Sequence, residues 1–267
     1  MRDFSPVTEH PCHYVGRDTR DVIFRRYALA ARHALGARLL EVGCGAGFGL
    51  GVLARRARGI VAGELTEVNL REAAATYAGR PGIWFVRMDA HALPFGDEMF
   101  DTVLALAVIY YLDVEVFLRE CARVLRPGGA LVFCTSNREA QGFRPSRLST
   151  AYHSLPELET LMRVNGFDVE FYGAFPAPGG RGRFRLQVAA LTGTLLDRLP
   201  VSARVREGMK QTLSGLAQYE RVLLPAELRE EDLQAAEAIS LSRLDAGLPA
   251  PAYRVLYGVA HRVERRA

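Results

Sequence analysis

The stretch Leu39-Leu40-Glu41-Val42-Gly43-Cys44-Gly45-Ala46-Gly47-Phe48-Gly49 decides how the chain folds. Its first four residues are mostly apolar and predict a short buried strand. Glycines then stand at every second position, and an apolar helix pattern follows over 50–58. Glycines let a backbone adopt positive φ and let a ligand approach closely, while the start of a helix offers free N–H groups. The stretch therefore predicts a strand, a ligand-binding turn and a helix in succession.

Spacing excludes two common ligands of such a turn. The dinucleotide fingerprint G-x-G-x-x-G needs its third glycine about five residues after the first. Phe48, Leu50 and Val52 occupy that place in the three registers that the turn allows. A phosphate-binding loop needs Gly-Lys-Ser/Thr, and no lysine lies near the turn. A nicotinamide oxidoreductase and a nucleoside-triphosphate site are therefore disfavoured.

Strands and helices alternate on both sides of the turn. Strands are predicted at 38–42, 59–63, 83–87, 100–107, 130–134, 169–175 and 253–260, and helices at 18–35, 50–58, 67–78, 113–125 and 155–165. Such alternation gives right-handed crossovers and a parallel sheet covered by helices. Three more helices, predicted at 186–199, 202–224 and 226–246, form an insertion before the last strand.

Further motifs follow the turn in a fixed order. Glu64 ends the second strand, residues 89–95 read Asp-Ala-His-Ala-Leu-Pro-Phe, and residues 123–129 read Arg-Val-Leu-Arg-Pro-Gly-Gly. With E-x-G-x-G-x-G at 41–47, they resemble the class I S-adenosylmethionine-dependent methyltransferases over residues 37–173. The resemblance implies an α/β fold: a Rossmann-like, seven-stranded sheet with helices on both faces and a helical insertion before the last strand.

The resemblance also implies where S-adenosyl-L-methionine binds. In this family the acid and the glycines of the turn hold the methionine end of the cofactor, and later acids hold its ribose and adenine. The residues implied here are Glu41, Gly43, Cys44, Gly45, Gly47, Glu64, Leu65, Asp89, Ala90 and Leu106. An acid at the end of the second strand can accept both ribose hydroxyls, which supports the role of Glu64 independently.

The sequence says less about the residues that bind the methyl acceptor. Methyltransferases of DNA amines carry Asn/Asp-Pro-Pro-Tyr after the fourth strand. This chain has no Pro-Pro pair, so a DNA amino-methyltransferase is disfavoured. Tyr110 and Tyr111 stand there instead and are expected to contact the substrate or to pack the pocket wall. His153 is predicted as a general base, because histidine titrates near neutrality; the alternatives are substrate contact or packing at a helix start. Arg181, in a Gly/Pro/Arg-rich loop, is expected either to bind an acceptor anion or to be solvated.

Length and composition agree with an ordinary globular protein. Of the 267 residues, 49% are hydrophobic and 24% are charged, which excludes disorder along the whole chain. The start of the chain lacks an apolar run, and the longest apolar stretch is half the length of a membrane span, so a cytoplasmic protein is expected. The four cysteines include no C-x-x-C pair and predict no metal site.

The pattern divides the chain into three parts. They are an N-terminal helical cap at 1–38, a cofactor-binding Rossmann-like domain at 39–173 with 253–267, and an insertion at 174–252 that is expected to act as a substrate lid. Residues 134–138 and 152–154 resemble type 11-like methyltransferases of glycan or secondary-metabolite pathways. We therefore expect a small-molecule acceptor such as a sugar, a lipid-linked glycan or a secondary metabolite, methylated on oxygen by a monomer or homodimer.

Two other functions remain open from the sequence. The same fold methylates RNA or protein, and the net charge of +4 permits RNA, although no basic stripe supports it. The second is a partner protein that binds the cofactor but does not catalyse methyl transfer. It is suggested by Tyr110-Tyr111, which stand where many members of the family carry an acid and a histidine.

Overall fold

One large sheet organises the chain. A computed structural model describes residues 3–177 and 220–264. Its strands are β1 (Tyr14–Gly16), β2 (Arg38–Val42), β3 (Gly59–Glu64), β4 (Ile83–Arg87), β5 (Phe100–Leu106), β6 (Leu125–Ser136), β7 (Phe167–Pro176), β8 (Arg221–Leu223), β9 (Ser242–Arg243) and β10 (Tyr253–Arg262). Eight of these strands form one sheet in the order β4-β3-β2-β5-β6-β10-β7-β9, and β1 pairs with β8 separately. The Rossmann-like α/β sheet predicted from the sequence is confirmed, with the two-residue β9 as an eighth strand.

Strand direction follows the predicted crossovers. Strands β2 to β6 run parallel to one another, so their carboxyl ends meet at one edge of the sheet. Strand β10 runs antiparallel between β6 and β7. The sheet order reverses at β2, which has β3 on one side and β5 on the other. Ligands of open α/β sheets bind at such a reversal.

Helices cover both faces of the sheet. They are α1 (Arg17–Arg32), α2 (Leu50–Ala54), α3 (Glu67–Thr76), α4 (Val114–Val124), α5 (Leu155–Val164) and α6 (Glu230–Glu237). Because successive strand residues point to opposite faces, Leu39 and Leu40 of β2 enter different cores. The core of Leu39 includes α1, α2, α3 and α6, and that of Leu40 includes α4 and α5. Among the residues described, no helix is long and apolar enough to cross a membrane.

The sequence explains why the helices start where they do. Asp113 caps α4 by accepting a hydrogen bond from the backbone N–H of Val116 at 3.2 Å. Ser154 and Glu157 form a reciprocal capping box at the start of α5. Helix α4 places Phe117 and Leu118 fully inside the core, as its apolar spacing predicts.

Two of the predicted helices of the insertion are wrong where the structure describes them. Residues 221–223 form β8, which pairs antiparallel with β1, instead of ending a helix at 224. Pro225 follows directly, and a residue before proline avoids the helical conformation. The helix predicted at 226–246 is shortened to Glu230–Glu237, and the chain then enters β9. The helix predicted at 186–199, like Arg181, lies outside the described residues.

The described part of the insertion packs along the outside of α1. Arg25 of α1 is buried, and its Nε donates to the carbonyl oxygen of Ile239 at 2.9 Å. Leu233 and Ala236 of α6 join the core on this face. Arg32 pairs with Glu237 at the surface. Helix α6 and Ile239 therefore brace α1, and the lid role expected for residues 174–252 stays a prediction.

This packing predicts a large loss of stability for Leu233→Ala. The side chain is 3% exposed, and removing such a group costs about 2–5 kcal/mol. Gln234 is its exposed neighbour on the same helix, so Gln234→Ala should stay within about 0.5 kcal/mol. Urea unfolding of the two variants measures both values. Equal stabilities would contradict the docking of α6 on α1.

Candidate functional site

A cavity of about 1000 Å³ opens at the carboxyl edge of the sheet. Four successive strand ends supply its floor. Gly43 follows β2, Glu64 ends β3, Asp89 follows β4 and Ala107 follows β5, and all four line the cavity. The cavity therefore lies where the strand order reverses, at the position that the topology favours for a ligand.

The glycine turn is tied to the end of β3. The backbone N–H groups of Gly43 and Cys44 both donate to the carbonyl oxygen of Gly63, at 2.8 and 3.0 Å. Gly43, Gly45 and Gly47 all have positive φ, which explains why glycine is needed at these turn positions. Gly43 and Gly45 line the cavity.

Gly47, unlike Gly43 and Gly45, packs against α3. A Cβ atom on Gly47 would lie 2.9 Å from the Cβ of Ala73 on α3 and 3.0 Å from Leu50. Gly47 does not line the cavity. Its lack of a side chain therefore lets the turn pack against α3, and the structure does not bring it to the ligand space.

Glu64 is held by two backbone donors. Its Oε2 accepts from the N–H of Gly45 at 3.0 Å, and its Oε1 accepts from the N–H of Thr66 at 2.7 Å. The residue is only 6% exposed. A carboxylate oxygen can accept two hydrogen bonds, so each oxygen keeps one lone pair for a ligand. A vicinal diol, which offers two adjacent hydroxyl donors, matches this arrangement.

Asp89 is oriented by a histidine that the sequence placed beside it. The backbone N–H of His91 donates to Asp89 Oδ1 at 2.9 Å, and His91 Nδ1 lies 2.7 Å from the same oxygen. The N–H of Asp113 donates to His91 Nε2 at 2.9 Å, so Nδ1 carries the ring proton. Burial raises the pKa of Asp89, but the contacts with His91 lower it overall. Oδ2 of this ionised carboxylate makes no contact with His91.

Glu41 is buried next to Tyr27, which lines the cavity in its place. It is 1% exposed, and the hydroxyl of Tyr27 donates to its Oε1 at 3.0 Å. Its Oε2 has no hydrogen-bond partner within the described part of the chain. Tyr27 lines the cavity and Glu41 does not. Burial raises the pKa of Glu41 to about 7, despite the opposing effects of Tyr27 and Arg26.

The N-terminal segment forms one wall of the cavity. The N–H of Phe4 donates to Thr66 Oγ1 at 3.0 Å, and Asn69 donates to Thr8 Oγ1 at 2.7 Å. Glu9 forms an ion pair with Arg26 of α1, whose side chain is nearly buried. Burial opposes the charge of Arg26, yet Glu9 raises its pKa overall. The guanidinium therefore stays cationic beside the ligand space.

The aromatic wall of the cavity, Tyr110 and Tyr111, adjoins the N-terminal segment. Tyr110 and Tyr111 lie on the 3-10 turn Ile109–Tyr111 after β5 and line the cavity. Tyr110 stacks on Tyr152 with ring centroids 4.8 Å apart, and Tyr111 packs on Phe4 at 5.1 Å. Burial raises the pKa of Tyr110 well above its usual value, so its phenol is neutral. The two rings therefore give this part of the cavity an apolar surface.

The charges around the cavity favour a cationic ligand. Four carboxylates line it, those of Glu9, Glu64, Asp89 and Asp113, against the two guanidinium groups of Arg26 and Arg87. Excess negative charge repels the pyrophosphate of a dinucleotide. The same excess of negative charge favours a ligand that carries a sulfonium and an ammonium group.

Most of the residues predicted from the sequence come together in this cavity. Gly43, Cys44, Gly45, Glu64, Leu65, Asp89, Ala90, Leu106, Tyr110 and Tyr111 line it. Glu41 and Gly47 stand behind the lining. His153 lies beside the capping box of α5, 3.8 Å from Glu157, and does not line the cavity. Arg181 lies outside the described residues.

The sequence analysis missed the contribution of α1. Arg26 and Tyr27 line the cavity, and Glu9 pairs with Arg26. A signal was present, since Arg25, Arg26 and Tyr27 interrupt an otherwise apolar helix face that is buried. A buried charge needs a partner, and the partner here comes from a segment without a regular pattern.

Comparisons with known proteins agree with this geometry. Residues 40–133 match the methyltransferase domain family. A probable S-adenosylmethionine-dependent methyltransferase of Mycobacterium tuberculosis is 32% identical over 192 residues, covering 67% of each chain. A ubiquinone biosynthesis O-methyltransferase of Rhizobium rhizogenes is 33% identical over 146 residues, covering 52% of this chain and 55% of its own. The chain thus spans little more than half of that relative.

Solved structures share the fold at low identity. The crystal structure of the [4+2]-cyclase SpnF superposes with a TM-score of 0.58 and 20% identity, covering 96% of this chain and 87% of that one. At this identity the likeness concerns the fold alone, because one fold supports several chemistries.

The raised pKa of Glu41 predicts a pH-dependent stability. An unfolded chain releases this proton near the ordinary value of 4.5, while the folded protein keeps it until about pH 7. The folded state therefore binds more protons in this window, and stability falls as the pH rises through it, by on the order of 2–3 kcal/mol. Glu41→Gln removes this titration.

Urea unfolding of wild type and Glu41→Gln between pH 4.5 and 8 measures the effect. The stability of wild type relative to the variant should decline from pH 4.5 to 7 and then level off. Parallel pH profiles of the two proteins would mean that Glu41 is ionised in the folded state.

Proposed function

Because the chain belongs to the S-adenosylmethionine-dependent methyltransferases, we propose that its cavity holds this cofactor across the glycine turn and presents the methyl group to an oxygen of a small-molecule acceptor. The observation that carries the proposal is the carboxylate of Glu64. It is fixed by two backbone donors at the edge of a net-acidic cavity, with a lone pair left on each oxygen.

The nucleoside end of the cofactor fits the β3 and β4 side of the cavity. Glu64 would accept the two ribose hydroxyls. Asp89 would accept the adenine amino group through Oδ2, since Oδ1 is already bonded to His91. Leu65 and Ala90 line the same side and offer apolar contact to the adenine ring.

The amino-acid end fits the α1 side of the cavity. The carboxylate of the cofactor would meet the cationic Arg26, and its ammonium would meet the oxygen of Tyr27. Tyr27 donates its own proton to Glu41, so its oxygen can accept a hydrogen bond from the ligand. Glu41 then acts through Tyr27 and sets its orientation.

The acceptor fits beside the aromatic wall of the cavity, Tyr110 and Tyr111. When bound, the cofactor supplies a methyl group on a sulfonium, which is a good leaving group. The chain contributes mainly orientation, which is worth roughly 7–11 kcal/mol when two reactants are held in line. Tyr110 and Tyr111 would hold the acceptor's apolar body and keep water away from the methyl group. Stacking of Tyr110 on Tyr152 keeps that wall in place.

Oxygen as the acceptor atom agrees with the lining of the cavity. A base is needed only when the acceptor must lose a proton. Among the described residues, the histidine that lines the cavity is His91, and both of its ring nitrogens are engaged. A carboxylic acid is already ionised near neutral pH, so an acceptor of this kind needs no general base. The name of the Rhizobium relative, an O-methyltransferase, also supports oxygen as the acceptor atom.

The Glu64 geometry predicts how cofactor affinity responds to substitution. Glu64→Ala should weaken binding of S-adenosylhomocysteine at least tenfold, since two hydrogen bonds to a charged group are lost. Glu115→Ala removes an exposed carboxylate of α4 and should leave the affinity unchanged. Isothermal titration calorimetry measures both, with NAD as a ligand expected not to bind. Tight NAD binding, or equal affinities in the two variants, would overturn the proposed cofactor site.

The aromatic wall predicts a separate effect on the acceptor. Tyr110→Ala should lower kcat/KM for the acceptor at least tenfold and leave S-adenosylhomocysteine affinity within twofold, while Tyr110→Phe should keep most activity. The assay follows transfer of labelled methyl groups to a panel of phenols, carboxylic acids and hydroxylated sugars. Wild-type activity in Tyr110→Ala, or transfer only to RNA or protein added to the panel, would contradict this acceptor site.

A further inference from the structure

A second depression lies at the opposite edge of the sheet. It has a volume of about 650 Å³ and is formed by the turn after α1, by Arg58 before β3 and by the amino ends of β5 and β6. It shares no lining residue with the cavity at the carboxyl edge. We call it the basic depression, after the arginines that line it: Arg32, Arg38, Arg58 and Arg126.

The carboxylates nearby do not balance these arginines. The one carboxylate in the lining, Asp101, receives two of them: Arg126 Nε lies 2.7 Å and Arg38 Nε 3.2 Å from its oxygens. Arg32 pairs with Glu237, which stands outside the depression. Arg58 is exposed and forms no ion pair with any residue the structure describes. Four guanidinium groups therefore face two carboxylates, and the excess positive charge is concentrated in one hollow.

A neighbouring histidine reflects the same positive field. His33 also lines the basic depression. Burial lowers its pKa, and His261 and Arg32 lower it further. Burial is the largest cause of this shift and the charge of Arg32 adds to it, so a further positive charge is disfavoured at His33.

The lining also limits the size and chemistry of a ligand. Apart from the imidazole of His33, none of the residues that line the depression carries an aromatic ring, and its apolar side chains are those of Leu35, Ala37 and Ala130. Charged groups therefore dominate the lining, and it lacks the aromatic platform on which nucleobases usually stack. Guanidinium groups form paired hydrogen bonds with phosphate oxygens. A small oxyanion with several charges satisfies both conditions.

We propose that the basic depression binds a small, multiply charged phosphate, either free inorganic phosphate or diphosphate or the phosphoryl group of a metabolite. The site is separate from the methyltransferase cavity, and the inference holds whatever acceptor that cavity takes. Bound phosphate would use the donors of Arg58 and the outward nitrogens of Arg126, leaving the Asp101 ion pairs in place.

Arg58 is the residue best suited to test the site. It forms no ion pair with a described residue that substitution would break, and its backbone N–H, which donates to the carbonyl oxygen of Ala37 at 2.9 Å, survives substitution. Arg144 is a matched control, because it is exposed, forms no ion pair with a described residue and lines neither hollow. Arg58→Gln and Arg144→Gln change the net charge equally.

Calorimetric titration of the full chain with sodium diphosphate, at ionic strength held constant with sodium chloride, tests the proposal. We expect saturable binding of one anion, weakened at least tenfold by Arg58→Gln, unchanged in Arg144→Gln and unaffected by saturating S-adenosylhomocysteine. Parallel titrations with inorganic phosphate and with glucose 6-phosphate distinguish the two sources: tighter binding of glucose 6-phosphate indicates a phosphorylated metabolite, and weaker binding indicates the free anion.

Three results would overturn the proposal. Heats without saturation would mean that no site exists. Equal weakening by the two substitutions would mean that net charge alone attracts the anion. Displacement by S-adenosylhomocysteine would place the anion in the other cavity.

Discussion

The hydrogen bonds between the glycine turn and the end of β3 hold the site together. Gly43 and Cys44 donate to Gly63, and Gly45 donates to Glu64. These bonds join the carboxyl ends of two neighbouring strands, where the backbone would otherwise leave donors unsatisfied. The turn that makes them has positive φ at Gly43 and Gly45, and the bond from Gly45 fixes a carboxylate at the rim of the cavity. The ligand space and its first recognition group thus arise from one set of contacts.

Charge is distributed unevenly between the two edges of the sheet. The carboxyl edge presents four carboxylates and two arginines to its cavity, and the amino edge presents four arginines and one carboxylate to its depression. Parallel strands make this separation possible, because all of their carboxyl ends lie on one side. The first edge suits the cationic cofactor of the family, whereas the second suits an anion. The same fold can therefore bind ligands of opposite charge without interference.

Sequence patterns predicted the part of the fold that depends on short, regular spacing. The apolar runs of β2 to β6 and the acids at their ends lie close together in sequence, so strand–turn–helix units could be identified directly. Arg26, Tyr27 and Glu9 could not be assigned in this way, because their proximity to the cavity depends on how α1 and an irregular segment pack on the sheet. Glu41 carries the family motif, yet it stands behind Tyr27, and spacing alone does not distinguish a lining residue from its support.

The insertion shows a second limit of sequence patterns. Residues 221–224 continue the apolar spacing of the helix predicted before them, but Pro225 and the pairing with β1 turn them into a strand. Pairing between residues 14–16 and 221–223 spans most of the chain and leaves no periodic signal. His153 was predicted as a general base from the chemistry of histidine, and that chemistry does not show that its side chain lies 3.8 Å from Glu157 and outside the lining of the cavity.

The central claim is that the cofactor lies across the glycine turn with its sulfur toward the aromatic wall. A crystal structure of the protein with S-adenosylhomocysteine tests this most directly. We predict both ribose hydroxyls on Glu64, the adenine beside Asp89, the carboxylate near Arg26 and the sulfur facing Tyr110. A ligand bound with its adenine against Tyr110, or bound outside this cavity, would contradict the account.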